Sequence, residues 1–243
     1  MEVAPRVHRL TKGIVNWYLI EDGGKLTAID AGAPHDWGHL LETLSALGRS
    51  LDDLEAVLIT HAHRDHIGCA ERIRTSAGAS VRVHQADAPV ALGGKAGKPE
   101  RSLAHYLLKA QMWRTVLSLV PRGAGRLVPV REVSEFGDGE TLDVPGRPTV
   151  AHTPGHTPGA SALHLADRGV LFTGDGLVTM NPLTGRLGPQ ICPGGFNTSS
   201  QQAMDSLTRL EGLSASTILP GHGEPWTGGV GDALRLAREV GFS

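Results

Sequence analysis

Residues 60–68, THAHRDHIG, concentrate three histidines and one aspartate directly after the short apolar run AVLIT. An apolar run of this length predicts a buried strand. In extended backbone the rings of His61 and His63 point to the same side, because side chains alternate with a period of two. Asp65 and His66 follow where the chain turns towards a helix. Taken alone, such a cluster is consistent with a hydrogen-bonded loop as well as with a metal site.

Three further polar residues occupy equivalent places, each in a loop after a predicted strand. They are His156 in HTPGHTPG, Asp175 in LFTGDG and His222 in LPGHGEP. Glycine beside each of them permits sharp turns and close approach of the backbone. Together with the first cluster they make five imidazoles and two carboxylates, a nitrogen and oxygen donor set that suits zinc, iron or manganese. The recurrence favours a metal site over a polar loop network.

The chain outside its middle reads as two similar stretches, residues 1–86 and 127–243, each with strands followed by helices. A half that carries a sheet has an apolar face to cover, and two such halves can cover each other. We therefore predict a single domain, residues 1–243, made of two halves.

Residues 87–126 interrupt this pattern as a predicted helical insert. Within it, residues 101–120 predict one helix with apolar residues on two nearly opposite faces, so both faces should be buried. Seven cations and one anion give residues 93–126 a charge of +6. We expect this helix either to form a lid, with Tyr106, Met112 and Trp113 lining a substrate pocket, or to pair two copies of the chain. Core or dimer contacts are the alternative role of these three residues.

The overall composition limits the partners of the protein. The 243 residues are 40% hydrophobic and carry a net charge of −2, which argues against a general nucleic-acid binder. Apolar runs stay well short of the roughly 20 residues that span a bilayer, and the first residues do not resemble a signal peptide. Cys69 and Cys192 are too few for a disulfide framework. We expect a cytoplasmic protein with a small-molecule substrate and no nucleic-acid or membrane partner.

The four motifs THAHRDH, TPGHTPG, TGD and PGHG, in this order, resemble those of the metallo-β-lactamase superfamily of metal-dependent hydrolases. The resemblance runs from IDAG (residues 29–32) to PGHG. It implies an α/β (α+β type) fold, a four-layer αββα sandwich, with the insert near 87–126 as a departure from small family members. It also implies two divalent metal ions, zinc first, with iron or manganese as alternatives. His61, His63 and His156 would hold one ion, Asp65, His66 and His222 the other, and Asp175 would bridge them. Asp30 resembles the buried carboxylate that orients a ligand histidine.

The resemblance implies hydrolysis by a metal-bridging hydroxide, with Asp65 as the catalytic residue that accepts a hydrogen bond from it. Asp175 at the bridging position disfavours the β-lactam-hydrolysing branches, and the short stretch after PGHG disfavours a glyoxalase-II-like enzyme. The absence of a flavin domain excludes a flavodiiron protein, and the weak charge disfavours a tRNA nuclease. We expect a small acyl substrate, a thioester, ester or lactone, possibly anionic. The alternatives are a mononuclear iron enzyme of the persulfide-dioxygenase kind and a non-catalytic metal-stapled binding protein.

Overall fold

The computed structural model describes residues 1–242 as a mixed α/β fold. Its strands are β1 (Glu2–Ala4), β2 (Val7–Lys12), β3 (Val15–Asp22), β4 (Lys25–Ile29), β5 (Leu54–Ile59), β6 (Ser80–His84), β7 (Ser134–Phe136), β8 (Thr149–His152), β9 (Ser161–Leu165), β10 (Val170–Gly174), β11 (Val178–Met180), β12 (Leu187–Gln190) and β13 (Thr217–Pro220). Its α-helices are α1 (Trp37–Ala46), α2 (Ala70–Ala77), α3 (Ala88–Ala91), α4 (Ala110–Leu119), α5 (Ser200–Ser206) and α6 (Gly229–Val240). Short 3-10 helices cover Leu51–Asp53, Leu103–Tyr106, Ala166–Arg168 and Leu207–Leu210.

Two sheets organise the fold. The first has seven strands in the order β1-β2-β3-β4-β5-β6-β7, antiparallel as far as β4 and parallel from β4 to β7. The second has the order β13-β10-β9-β8, in which β10 and β13 are parallel. Parallel strands end at the same edge of a sheet, and ligand sites in such sheets form beyond their carboxyl ends. The loops after β4, β5 and β6 therefore start together at one edge.

Side-chain alternation along the strands produces the four layers. On β3, Leu19 faces helices α1 and α2, whereas Ile20 faces the other sheet. On β10, Phe172 faces the first sheet and Leu171 faces α5 and α6. Each side chain of this size contributes about 1.5–3 kcal/mol when it is fully buried. The three resulting cores, helix–sheet, sheet–sheet and sheet–helix, make the αββα sandwich that the motifs imply.

The insert differs from the single helix predicted over residues 101–120. That prediction is wrong, because the chain forms the 3-10 helix Leu103–Tyr106 and then the separate helix α4. Lys109 before α4 is extended, with φ −89° and ψ 118°. The indole Nε1 of Trp113 donates to the carbonyl of Leu107 at 2.9 Å, which holds the break.

Burial of the insert is also one-sided. Met112 and Thr115 of α4 are buried, and the Thr115 hydroxyl donates to the carbonyl of Pro182. On the other side Leu117 is 72% exposed and Val120 is 57% exposed, and Leu108 before the helix is 99% exposed. The prediction that both apolar faces are buried is therefore wrong for a single copy of the chain.

The end of the insert is fastened to the first sheet and to α1. Arg122 forms a paired contact with the buried carboxylate of Asp36 and donates to the carbonyl of Lys12 at 2.6 Å. Asp36 precedes α1, but its side chain accepts from the backbone of Ala33 at 2.9 Å rather than capping the helix. Within residues 1–242, no helix is both long enough and apolar enough to cross a bilayer.

The apolar run LVPVREV, residues 127–133, predicts a strand that the structure does not contain. β7 starts one residue later, at Ser134, and pairs with β6. Pro129 in this run lacks a backbone N–H and cannot contribute a full set of sheet hydrogen bonds. The first sheet thus receives its last strand from beyond the insert.

Candidate metal centre

The predicted ligand residues lie together at the edge of the sandwich where both sheets end. The two sheets are joined at this edge by backbone hydrogen bonds from Ser161 to Thr60 at 2.9 Å and from Asn16 to Gly221 at 2.8 Å. A further bond from Gly221 to Gly174, 2.8 Å long, connects the loops after β13 and β10. These contacts bring loops from distant parts of the chain against one another.

One set of three imidazoles, the first ligand group, consists of His61, His63 and His156. One ring nitrogen from each lies within 4.8 Å of the others. Nδ1 of His63 is 2.8 Å from Nε2 of His156. His61 and His156 are buried, and His63 is half-buried. The group therefore converges on a point that is open on the side of His63.

The second ligand group consists of Asp65, His66 and His222, again with one donor atom of each within 4.8 Å of the others. Asp65 Oδ2 lies 3.7 Å from Nε2 of both histidines. Asp175 lies between the two groups. Its Oδ1 is 3.7 Å from His66 Nε2, and its Oδ2 is 3.5 Å from His156 Nε2. This carboxylate touches both groups, as a bridging residue must.

Unpaired buried atoms test whether these residues fit a metal ion. Among residues 1–242, the side-chain atoms His61 Nε2, His66 Nε2 and Asp175 Oδ1 are buried without a hydrogen-bond partner. A buried polar atom without a partner costs about 1–3 kcal/mol. Three such atoms belong to the residues that converge here, and imidazole nitrogen with carboxylate oxygen is the donor set of zinc and related divalent ions. The residues fit the divalent metal ions that the superfamily fold implies.

Hydrogen bonds to the opposite ring nitrogen orient four of the histidines. His66 Nδ1 contacts Asp30 Oδ2 at 2.9 Å. Three other partners share this role: Thr60 Oγ1 at 3.0 Å from His61, Asn197 Oδ1 at 3.0 Å from His156, and the Ile14 carbonyl at 2.7 Å from His222. Each contact is made by Nδ1, so Nε2 remains directed at the ligand groups. Contacts of this kind fix the tautomer of a metal-ligating histidine.

Asp30 is held in an unusual backbone conformation. Its φ is +62°, in the left-handed region that only glycine, asparagine and aspartate adopt readily. Its carboxylate accepts from the backbone N–H of Thr60 at 2.8 Å and from the Thr60 hydroxyl, as well as contacting His66. One buried carboxylate therefore supports the chain before His61 and the ring of His66.

Burial and the carboxylates of Asp30, Asp65 and Asp175 set the protonation states of the histidines in the site. Burial, together with the neighbouring imidazole of His63, lowers the pKa of His156 to about 3. At His66 burial acts in the same direction, but the surrounding carboxylates, Asp175 foremost, outweigh it and raise its pKa to about 10. Burial raises the pKa of Asp175, yet the adjacent histidines hold it well below its usual range. Asp175 is thus anionic and His156 neutral, the states that metal ligation requires, whereas His66 is protonated and must release its proton to bind an ion.

A cavity of about 670 Å³ opens over the ligand groups. His63, Asp65, Asp175 and His222 reach its surface. The apolar part of its wall comes from Ile14, Val90, Leu119, Leu127 and Phe196. Residues 94–99 form another side, with Lys95 and Lys98, and Arg64 also lies on the cavity. The site thus has both a reactive floor and a wall that can hold a small organic molecule.

The predicted pocket residues Tyr106, Met112 and Trp113 are not on this wall. Tyr106 and Met112 are buried with Leu183 in a small cluster that packs behind the wall residue Phe196, and Trp113 is half exposed. Helix α4 borders the cavity through Thr115 and Leu119 instead, which follow Met112 along the same face of the helix. The insert contributes to the pocket, but through other side chains.

Besides the partners of the ligand histidines, sequence reasoning missed Cys192 and Asp87 as residues close to the ligand groups. Cys192 is buried, with its Sγ 3.7 Å from Asp175 Oδ2, and it carries no motif that could have placed it there. Asp87 is buried beside His63 on the cavity. Asp87 did have a signal, because it follows β6 just as the predicted ligands follow their strands. Cys69, in contrast, is a buried core residue, and burial raises the pKa of its thiol to about 12.

Comparison with known proteins agrees with this arrangement. A sequence model described as the metallo-beta-lactamase superfamily matches residues 10–222. The chain belongs to the metallo-β-lactamase superfamily. A superfamily relative, the probable metallo-hydrolase YflN of Bacillus subtilis (strain 168), is 31% identical over 238 residues, which cover 93% of this chain and 87% of that protein. A hydroxyacylglutathione hydrolase of Cereibacter sphaeroides (strain ATCC 17025) is 31% identical over 176 residues, 72% of this chain and 51% of that protein.

Solved structures of the superfamily share the fold. A metallo-beta-lactamase family protein from Thermus thermophilus aligns with a TM-score of 0.70 at 26% identity, covering 98% of this chain and 79% of that one. A metallo-β-lactamase from Cronobacter sakazakii aligns with a TM-score of 0.70 at 22% identity, covering 99% and 91% of the two chains. The second likeness shows the fold alone.

Proposed function

We propose that the protein is a dinuclear metal-dependent hydrolase of small acyl substrates, namely thioesters, esters or lactones. The observation that carries this proposal is the pair of ligand groups that share Asp175 beneath one cavity. His61, His63 and His156 would hold one ion, and Asp65, His66 and His222 the other. Zinc is the first choice for both, and iron or manganese the alternatives. When bound, a pair of divalent ions lowers the pKa of water and polarises a carbonyl group.

The side chains of the site supply the remaining requirements of hydrolysis. Asp65 reaches the cavity, and its Oδ2 is 3.7 Å from two ligand histidines. We assign it the role of catalytic residue, which accepts a hydrogen bond from the attacking water and so fixes the direction of attack. The apolar side chains of the cavity wall exclude other water and hold the acyl group in place. A separate serine or cysteine nucleophile is not required.

Charge on the cavity favours a substrate with an anionic group. Lys95, Lys98 and Arg64 line the cavity. Among residues 1–242, the acidic residues that line it are Asp65, Asp87 and Asp175. Asp65 and Asp175 belong to the proposed metal site, and Asp87 supports the loops that carry its ligands. Cations near a cleft raise the local concentration of anions. The hydroxyacylglutathione hydrolases among the relatives make an acyl thioester the first substrate class to test.

A second candidate is a mononuclear iron enzyme of the persulfide-dioxygenase kind. It is favoured by one feature, the approach of Asp175 Oδ2 to His61 Nε2 at 3.9 Å and to His156 Nε2 at 3.5 Å. Two histidines and one carboxylate are the ligand set of non-haem iron oxygenases. Metal analysis separates the two candidates, because the hydrolase requires two ions per chain and the oxygenase requires one iron.

The decisive experiment combines metal analysis with a panel of acyl thioesters, esters, lactones and phosphodiesters. We expect about two zinc ions per chain and turnover of at least one acyl substrate. Asp65→Ala should abolish turnover, whereas Asp143→Ala, at an exposed carboxylate, should not change it. A wild-type protein that binds metal and hydrolyses none of the panel would instead indicate a metal-stapled binding protein.

We propose further that two copies pair through residues 101–120 and that the protein works in the cytoplasm. The first proposal is supported by the apolar side chains of Leu108, Leu117 and Val120, which this chain leaves exposed and a second copy could cover. The second is supported by Cys69 and Cys192, both of which are free thiols, as is usual in a reducing compartment.

A further inference from the structure

The buried carboxylate of Asp87 joins two loops that carry ligands of the first group. Asp87 follows β6 and is 1% exposed. Its Oδ2 accepts from the backbone N–H of Ala62 at 2.9 Å and from the Thr157 hydroxyl at 2.7 Å. Its Oδ1 accepts from the backbone N–H of Gly159 at 2.7 Å. Within residues 1–242, no arginine, lysine or histidine forms an ion pair with it.

The positions of the three donors make this contact specific. Ala62 stands between His61 and His63, and Thr157 directly follows His156. Asp87 therefore holds the loop after β5 and the loop after β8, which belong to different sheets. The three imidazoles of the first ligand group all belong to these two loops. The distance from His61 and His63 to His156 therefore depends on the carboxylate that joins the loops.

Close packing holds the loop after β8 directly against Asp87. A Cβ atom on Gly159 would lie 2.7 Å from Cβ, Cγ and backbone N of Asp87, closer than real contacts allow. A stacked pair of imidazoles, His84 at the end of β6 and His152 at the end of β8, joins the strand before Asp87 to the strand before Gly159, with ring centroids 3.9 Å apart and an angle of 11°. His152 Nε2 also contacts the Pro158 carbonyl at 2.8 Å. A change at Asp87 would thus act on a rigid junction.

Burying a charge without a cation is costly, and a neutral side chain could have filled the same space. The three hydrogen bonds to a carboxylate are of the strong, charge-assisted kind, which orient their donors more firmly than neutral contacts do. A purely structural junction does not require that strength, whereas a junction that sets the spacing of metal ligands does.

We infer that Asp87 is a positioning residue that sets the distance between the His61–His63 pair and His156, and thereby the affinity and geometry of the first metal position. This inference rests on the ligand set of the proposed function. Asp87 itself contacts backbone and a hydroxyl group rather than a ligand side chain, so it acts through the two loops.

The test uses the full chain loaded with Co²⁺ or Zn²⁺. Asp87→Ala removes all three acceptor contacts, Asp87→Asn keeps one oxygen, and Thr157→Val removes one donor. We expect the affinity for one of the two ions to fall about 10–100-fold in Asp87→Ala, less in Asp87→Asn and least in Thr157→Val. The affinity for the other ion should stay near the wild-type value. The visible spectrum at saturating Co²⁺ should shift in the same order, which a mere loss of stability would not produce.

Asp36→Asn is the matched control. Asp36 is also a buried carboxylate that accepts from a backbone N–H, but its partners are Ala33 and Arg122. This variant should lose thermal stability and keep both metal affinities and the Co²⁺ spectrum. If Asp87→Ala does not fold, Asp87→Asn and Thr157→Val decide the question.

Wild-type affinities and an unchanged spectrum in the Asp87 variants would overturn the inference. Failure of the proposed function has a different result, because the wild-type protein itself would then bind fewer than two ions or hydrolyse no acyl substrate. A wild-type protein with a single ion in the first group would still allow the Asp87 comparison.

Discussion

His63 turns its Nδ1 atom towards the cluster and places it 2.8 Å from Nε2 of His156, although 93 positions separate the two residues. The other ligand histidines use Nδ1 for an orienting contact and direct Nε2 inwards. His63 is thus the exception among them. Two imidazole nitrogens at this distance need either a shared proton or a cation beside them, and the second possibility follows from the ligand groups.

Removing either ring of this pair should empty one metal position. We expect His63→Ala and His156→Ala each to reduce the metal content from about two ions per chain to about one, because three donors are the minimum of a catalytic site. His164→Ala, at a histidine outside both groups, is the control. Metal analysis after gel filtration gives the result, and an unchanged content in either ligand variant would contradict the assignment.

Asp30→Asn should weaken metal binding or turnover by about 10–100-fold, the usual effect of losing a contact that orients a ligand histidine. Asn can accept from Thr60 but cannot hold His66 as a carboxylate does. Asp53→Asn is a suitable control, since the surface residue Asp53 accepts a hydrogen bond from the backbone N–H of Ser50 at 2.9 Å. Chelator competition measures the affinities. Equal behaviour of the two variants would show that Asp30 is only structural.

The lysines of the cavity should govern affinity for anionic substrates. We expect Lys95→Glu and Lys98→Glu to raise KM for an anionic thioester about tenfold with little change in kcat, because a binding contact away from the reacting atoms acts on both states alike. Lys109→Glu makes the same charge change in the insert but outside the cavity lining, and it should have little effect. Steady-state kinetics at two salt concentrations provide the measurement. A uniform effect of all three changes would point to overall charge.

Leu117→Glu should convert a dimer to a monomer, since Leu117 is 72% exposed on the outer face of α4. A buried charge at the centre of an interface leaves an unpaired ion on each side. Leu187→Glu is the matched control, because Leu187 is 77% exposed but lies on β12. Light scattering coupled to gel filtration reads out the mass. A wild-type monomer at all concentrations would refute pairing through residues 101–120.

Two glycine substitutions should change stability in opposite directions. A Cβ on Gly68 would lie 2.4 Å from backbone atoms of Ala33 and Pro34, so Gly68→Ala should cost about 1–3 kcal/mol of unfolding free energy. Gly38 is exposed in α1 with nothing within 4 Å of the added atom. Gly38→Ala should therefore add about 0.5–1 kcal/mol. Urea unfolding of both variants checks the pair, and a stable Gly68→Ala would mean that the loop can shift.

The sequence predicts the part of the site that depends on strand ends. Apolar runs locate β5, β10 and β13, and the polar residues behind them come together because strands that end at one edge bring their loops together. Asn197 and the Ile14 carbonyl could not be found in this way. A backbone carbonyl has no sequence signature, and Asn197 lies in a loop whose path depends on tertiary packing.

The insert shows why the remaining fold predictions failed. Apolar periodicity over residues 101–120 is compatible with one long helix, and it does not reveal that Trp113 binds the Leu107 carbonyl and interrupts it. Nor can periodicity tell that Pro129 precedes the strand rather than lying in it. The division into halves at residues 86 and 127 stays a prediction, although β7 extends the first sheet beyond it.

One part of the cavity wall comes from a stretch of the chain that supplies no residue to the ligand groups. Within residues 1–242, the ligand groups contain no member from residues 93–131, while Lys95, Thr115 and Leu119 from that region border the cavity. The contribution of this region to selectivity is therefore encoded apart from the metal ligands. Substitutions in this surface segment can therefore change substrate selectivity while the metal ligands stay the same.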